Sequence, residues 1–273
     1  MTQEDADTAS MLARNILCHV TGKTKEQILT QREMYAGEEA CQAMEQCVQR
    51  VLSGEPLAYV LGCWEFFGLP LYVTPDVLIP RDDTCAVTEL AIEIAKTIEN
   101  PRVLDLCTGS GCIGLAIASR VKNAKVTLAD ISDAAMAIAK KNIANLNMTG
   151  RVCCMQADAL GTPNSFFGKF DLIVSNPPYI TTQEMLDLPH SVKEYEPHLA
   201  LFGGDDGLDF YRNIACRYAQ ALKPGGYLCF EFGMGQGDAV CEILQMNGYT
   251  ILERSKDYNE RERAVIARYD RKD

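Results

Sequence analysis

This sequence is short of positive charge. Its 26 Lys and Arg stand against 37 Asp and Glu, a formal net charge of −11 with its 3 histidines neutral. A duplex DNA or structured RNA partner usually demands a basic face, so the balance argues against nucleic acid as the direct substrate. Histidine is equally sparse: His19, His190 and His198 lie far apart, without the spacing of metal ligands. The 12 cysteines include no Cys-x-x-Cys pair, which removes the usual zinc-site spacing, so no metal is expected. No uninterrupted apolar run approaches the length of a membrane span. The start, Met1-Thr-Gln-Glu-Asp-Ala-Asp7, lacks the basic stretch and apolar core of a signal peptide. With scattered, unpaired cysteines, these absences lead to the expectation of a cytoplasmic protein in a reducing compartment, with no membrane partner.

What is present divides the 273 residues into three parts. Residues 1–56 read as helical. Leu12, Ile16 and Val20 share one helical face, and Ala40, Met44, Cys47, Val48 and Val51 form a second stripe. Thr24 is placed to cap a short helix over Lys25–Glu33, and Ser53-Gly54 supplies a stop. This acidic module suits a substrate-docking surface better than a catalytic one. Residues 57–80 are β-prone and punctuated by Gly and Pro, predicting a β-hairpin linker with its turn near Gly68-Leu-Pro70.

From residue 81 to 273, helices alternate with strands at Val103–Leu106, Lys125–Ala129, Val152–Gln156, Phe170–Val174, Tyr227–Phe232, Thr250–Glu253 and Ala264–Arg268. That pattern predicts an α/β fold, a seven-stranded Rossmann-like sheet with helices on both faces. The last two strands share a short connection, so the final one is expected to run antiparallel at or near an edge.

Two strand ends carry the candidate chemistry. Asp171-Leu-Ile-Val-Ser-Asn-Pro-Pro-Tyr179 is an apolar strand that must stop at Pro177-Pro178, since neither proline donates a ladder hydrogen bond. Asn176, Pro177, Pro178 and Tyr179 therefore lie at the carboxyl end of the sheet, where open α/β folds bind ligands. The other is Asp105-Leu-Cys-Thr-Gly-Ser-Gly111, with Gly114 completing a nominal Gly-x-Gly-x-x-Gly ahead of a helix. Asp130, nineteen residues after Gly111, ends the next strand and can accept two bonds from a ribose diol. Both NAD and S-adenosylmethionine fit these features. A carboxylate at Asp105 meets a sulfonium or amino group but repels a pyrophosphate. Asp158, before Ala159, can accept an adenine amino group, and a hydride-transfer enzyme has no need of Asn-Pro-Pro-Tyr. S-adenosylmethionine is the expected cofactor, with S-adenosylhomocysteine as product, held by Asp105, Cys107, Thr108, Gly109, Ser110, Gly111, Asp130, Asp158, Ala159 and Asn176.

The sequence closely resembles the HemK-type release factor glutamine methyltransferases, nearly end to end. The resemblance rests on Gly54-Glu-Pro-Leu-Ala-Tyr59, Val77-Leu-Ile-Pro-Arg81, Leu104–Gly111, Ser175–Ile180, Tyr195-Glu-Pro197, Ala200-Leu-Phe-Gly-Gly204, Asp206-Gly-Leu-Asp209 and Glu231-Phe-Gly233. It implies a helical domain joined by a hairpin to a class I methyltransferase domain. It further implies methylation of the glutamine side-chain amide in the Gly-Gly-Gln motif of peptide chain release factors.

The departures are Asp82, Asp83 and Cys85 within Pro80–Cys85, Cys107 where the family has glycine, and Ala159 where an aromatic is common. Asp83 is expected to keep an acid near the cofactor entrance, and Cys107 to meet the cofactor through its backbone. Asn176 and Pro177 would accept the amide N–H groups and Tyr179 would pack on the amide plane, making these three the catalytic set, with Pro178 among the substrate contacts. Two other classes share parts of the pattern: a nucleic-acid amino (N6-adenine type) methyltransferase, which the acidic total disfavours, and a non-catalytic cofactor-binding scaffold.

Overall fold

The strands that alternate along the sequence assemble into one twisted sheet because its central members are apolar runs that must be covered on both faces. A computed structural model describes residues 3–30 and 36–270. The helical module comprises α1 (Gln3–Thr21), α2 (Lys25–Thr30), α3 (Glu38–Leu52) and α4 (Leu57–Leu61). Thr24 does cap α2: its Oγ1 accepts the Gln27 N–H, and the Gln27 side chain accepts the Thr24 N–H in return. Residues 31–33 of the expected helix lie outside the described residues.

The hairpin consists of β1 (Cys63–Phe66) and β2 (Leu69–Tyr72), paired antiparallel. Phe67 and Gly68 form its turn, both with positive φ (54° and 75°), so the turn lies slightly earlier than Gly68-Leu-Pro70. Leu57–Leu61 was expected in the hairpin segment and is instead helical. Its two faces differ: Ala58 and Tyr59 are buried with Val73, Val77 and Ile79, whereas Val60 is buried with Ile16 and Cys47. The Tyr59 hydroxyl donates to the Val77 carbonyl at 2.7 Å.

The main sheet is built from β3 (Arg102–Leu106), β4 (Lys125–Asp130), β5 (Val152–Gln156), β6 (Phe170–Ser175), β7 (Leu222–Glu231), β8 (Tyr249–Lys256) and β9 (Glu262–Tyr269). Its order is β5-β4-β3-β6-β7-β9-β8. The first five strands in that order are parallel, while β9 runs antiparallel between β7 and β8, one place in from the edge. Lys223-Pro-Gly-Gly226, expected to end a helix, belongs to β7. Helices α5 (Cys85–Lys96), α6 (Cys112–Arg120) and α7 (Asp133–Asn145) cover one face, and α9 (Asp209–Arg217) and α10 (Gly237–Met246) the other; α8 (His190–Tyr195) lies in the segment after Asn-Pro-Pro-Tyr.

Strand alternation sorts β3 between the layers. Val103 packs under α5 and α6, and Leu104 and Leu106 pack with Tyr211, Ile214 and Phe230 on the opposite face. The strand order reverses direction between β3 and β6, which opens a crevice at their carboxyl ends. Leu106 pairs with Ser175 there, and the Ser175 hydroxyl donates to the Leu106 carbonyl at 2.6 Å. The glycine loop and Asn-Pro-Pro-Tyr are thus neighbours at the switch point. No described helix is long and apolar enough to cross a membrane.

Candidate active site

The loop after β3 folds tightly because its glycines permit it. Gly111 has φ 87° as it opens α6, and a Cβ on Gly114 would sit 2.3 Å from Leu128 Cδ2. Only glycine at 114 lets α6 approach the sheet this closely. Cys107 has φ 60°. This is the left-handed region that a side chain rarely adopts, and Cys107 both packs against the core and lines the cleft. Burial pushes the Cys107 thiol up, so it stays neutral.

The cleft above the switch point spans about 1020 Å³ with its open mouth included. Cys107, Thr108, Gly109, Ser110, Asp130, Asp158, Ala159, Asn176 and Pro178 all line it. Asp130 closes the loop from below. Its Oδ2 accepts the Gly109 N–H at 2.9 Å and its Oδ1 the Ser132 N–H at 3.0 Å. Burial raises its pKa and these backbone bonds oppose that rise. Asp158 Oδ1 accepts the Leu160 N–H at 2.9 Å. Leu78, Ile131, Leu160, Leu199 and Phe210 supply apolar walls from five separate segments of the chain.

Asp105 is placed differently from the expectation. It lies one residue inside β3, so its side chain faces α6 rather than the cleft, and it is 0% exposed. Oδ2 accepts the Thr108 hydroxyl at 2.6 Å and the Gly114 N–H at 2.9 Å, and Oδ1 has no partner. Burial pushes its carboxyl up to about 7, partly offset by those two bonds. Asp105 therefore shapes the loop from behind. Gly111 also stands off the cleft wall. Asp83 does not reach the cleft entrance either: its carboxylate pairs with Arg263 Nη2 at 3.0 Å.

A second cleft adjoins the first. It is lined by Tyr179, Ile180, Leu188, Val192, Leu201 and Glu231, and it shares Leu78, Arg81, Asn176 and Ala200 with its neighbour. Asn176 thus stands at the junction. Its Nδ2 donates to Thr84 Oγ1 at 3.3 Å, which directs the amide nitrogen away and leaves Oδ1 available. Arg81, also at the junction, is paired with buried Glu196. Pro177 is buried and lines neither cleft. Tyr179 lines only the second, where burial pushes its hydroxyl pKa up.

Sequence reasoning missed Thr84 and Glu231. Glu231 ends β7 beside Asn176, so the strand-end logic used for Asp130 applied to it equally. Thr84 carried no comparable signal, being 92 residues away from Asn176 in the chain.

Comparison with known proteins gives the family. The chain is 38% identical over 252 residues to the release factor glutamine methyltransferase of Clostridium acetobutylicum, covering 92% of this chain and 88% of that protein. Against the Moorella thermoacetica protein of the same name it is 39% identical over 245 residues, covering 89% and 86%. This chain belongs to the release factor glutamine methyltransferase family. Within it, residues 82–192 match the Methyltransferase small domain and residues 2–62 the PrmC N-terminal domain. The latter span reaches past residue 56 to include α4. A bifunctional methyltransferase of Rickettsia typhi is 36% identical over 271 residues; this chain spans 52% of its length. The fold likeness extends to a methyltransferase from Pyrococcus furiosus, with TM-score 0.53 at 18% identity over 83% of this chain and 100% of that one.

Proposed function

We propose that this chain transfers a methyl group from S-adenosylmethionine to the side-chain amide nitrogen of the glutamine in the Gly-Gly-Gln motif of peptide chain release factors. The observation that carries this reading is the meeting of two clefts at Asn176, with the Asn176 amide nitrogen turned away toward Thr84.

The first cleft suits a cationic cofactor. Asp76, Asp130 and Asp158 line it, and Arg81, the one cation among the described lining residues, is neutralised by Glu196. Such a lining favours a sulfonium and disfavours the pyrophosphate of a dinucleotide. Both Asp130 oxygens already accept a backbone N–H, and each keeps a lone pair for a ribose hydroxyl. Thr108 to Ser110 would follow the methionine portion, and Asp158 with Ala159 the adenine. When bound, the cofactor supplies an electrophilic methyl group.

The protein's task is then to aim the poor amide nucleophile. Asn176 Oδ1 would accept one N–H of the amide, while Pro177, expected to accept the other, lines neither cleft. Tyr179 would pack on the flat amide and fix its plane, with the rate coming from alignment and electrostatics. The module of residues 1–56, with α4, would dock the release factor. The test incubates the protein with radiolabelled S-adenosylmethionine and either a release factor or duplex DNA. Label on the release factor that vanishes when its Gly-Gly-Gln glutamine is replaced is the expected result; label on DNA alone would overturn the reading.

A further inference from the structure

We propose that Glu231 is a catalytic residue of the second cleft, accepting the proton that the substrate amide nitrogen loses on methyl transfer. This assignment rests on the function proposed above.

Glu231 ends β7 one residue beyond Phe230, which pairs with Ser175, so it stands beside Asn176 at the carboxyl end of the sheet. It is 1% exposed, and its Oε2 has no hydrogen-bond partner although the residue lines the cleft with Asn176 and Tyr179. A buried carboxylate oxygen left without a partner is costly, and the cost is recovered where a ligand donates to it. Thr84 and Asn176 stand beside this carboxyl, and two further donors nearby are already committed. Arg263 is held by Asp83 and Asp257 at 3.0 and 3.2 Å, and Tyr211 donates its hydroxyl to the Glu231 backbone carbonyl at 3.0 Å. Glu231 also lines the cleft that the glutamine amide would enter.

The chemistry releases a proton that such a group can take. The amide nitrogen forms its new bond to the methyl carbon as the methyl–sulfur bond breaks, and that electron pair returns to sulfur. The nitrogen then carries a positive charge and two protons. One N–H faces Asn176 Oδ1; the other proton passes to the Glu231 carboxylate, restoring a neutral secondary amide and leaving Glu231 protonated until water at the cleft mouth removes the proton.

The surroundings set this acceptor near neutrality. Burial is the main cause pushing the Glu231 carboxyl up, to about 7, while the polar groups of Thr84 and Asn176 and the charge of Arg263 pull it back and Asp83 adds to the rise. Tyr179 and the thiols of Cys85 and Cys112 also lie within its field, all held neutral by their own raised pKa values. An acceptor whose pKa lies close to the operating pH is the efficient kind.

The test is single-turnover methylation of a release factor by the full-length protein, for wild type, Glu231→Gln and Glu231→Ala, across the neutral pH range, with S-adenosylmethionine affinity measured by calorimetry. The wild-type rate is expected to climb with pH through the region near 7 and then level. Glu231→Gln, which mimics the neutral form that burial favours and so keeps the fold, should lose about a hundredfold in rate and the pH dependence with it. Its cofactor affinity should stay within about twofold of wild type. A Glu231→Gln protein with the wild-type rate and pH profile would overturn the assignment, as would a rate loss no larger than the loss of cofactor affinity. A wild type that binds cofactor yet leaves release factor unmethylated would overturn the proposed function itself.

Discussion

Asn142 holds Tyr72 by both backbone groups. Its Oδ1 accepts the Tyr72 N–H at 2.7 Å, and its Nδ2 donates to the Tyr72 carbonyl at 3.0 Å and to the Ser110 carbonyl at 2.9 Å. One fully buried side chain on α7 thereby fastens the end of the hairpin to the glycine loop. Asn142→Ala strands three backbone groups and is expected to cost roughly 3 kcal/mol, at about 1 kcal/mol or more per buried group. Urea denaturation measures this loss. Faster hydrogen exchange at the Tyr72 amide, without change at the centre of the sheet, would locate it.

Asp130→Ala is expected to weaken S-adenosylmethionine binding by at least tenfold, since hydrogen bonds to a charged group contribute about 1.5–3 kcal/mol each. The fold should survive, because the bonds lost within the protein are those to Gly109 and Ser132 at the loop surface. Calorimetry showing unchanged affinity would remove Asp130 from the cofactor site.

Asn176→Ala should separate binding from chemistry. Asn176 shares in both clefts but holds no loop backbone, so cofactor affinity should change little. Misplacing the acceptor nitrogen by about 1 Å costs on the order of a hundredfold in rate. Asn176→Asp keeps an oxygen but loses the donor to Thr84 and adds a charge beside Glu231, so it should be no better. Wild-type turnover by Asn176→Ala would end the amide-orienting account.

Asp105 makes stability depend on pH in a direction opposite to that of salt-bridged acids. Its carboxyl titrates near 7 when folded against 3.8 ordinarily. The folded state thus binds a proton that the unfolded chain has released between these values, and its stability contribution, full below about 4, is lost as pH rises through about 7. Denaturation curves at pH 5 and pH 8 should differ by a few kcal/mol in favour of the lower pH. Asp105→Asn, neutral at both, should shrink that difference; an unaltered difference would assign the effect elsewhere.

The strands, their order of appearance and the glycine loop were legible because apolar runs and glycine spacing report backbone demands directly. Asn176, Asp130 and Asp158 were legible because each ends a strand at the crevice. Asp105 misled: the same strand-end logic applied one residue too early, and alternation turned its side chain toward α6. Leu57–Leu61 was too short and too apolar for periodicity to separate helix from strand. Leu199 and Phe210 line the cleft through contacts far apart in sequence, which no local pattern encodes.

The helix α4, buried on one face against the helical module and on the other against the segment leading to Arg81, leaves no slack between them. Tyr195 adds a second tie, its hydroxyl donating to the Ser53 carbonyl at 3.2 Å. If the module docks the release factor as proposed, the molecule works as a caliper. One jaw grips a surface of the substrate, the other is the junction at Asn176, and the gap between them is fixed by covalent and packed structure. A glutamine is then selected by its distance from the gripped surface as much as by the residues beside it.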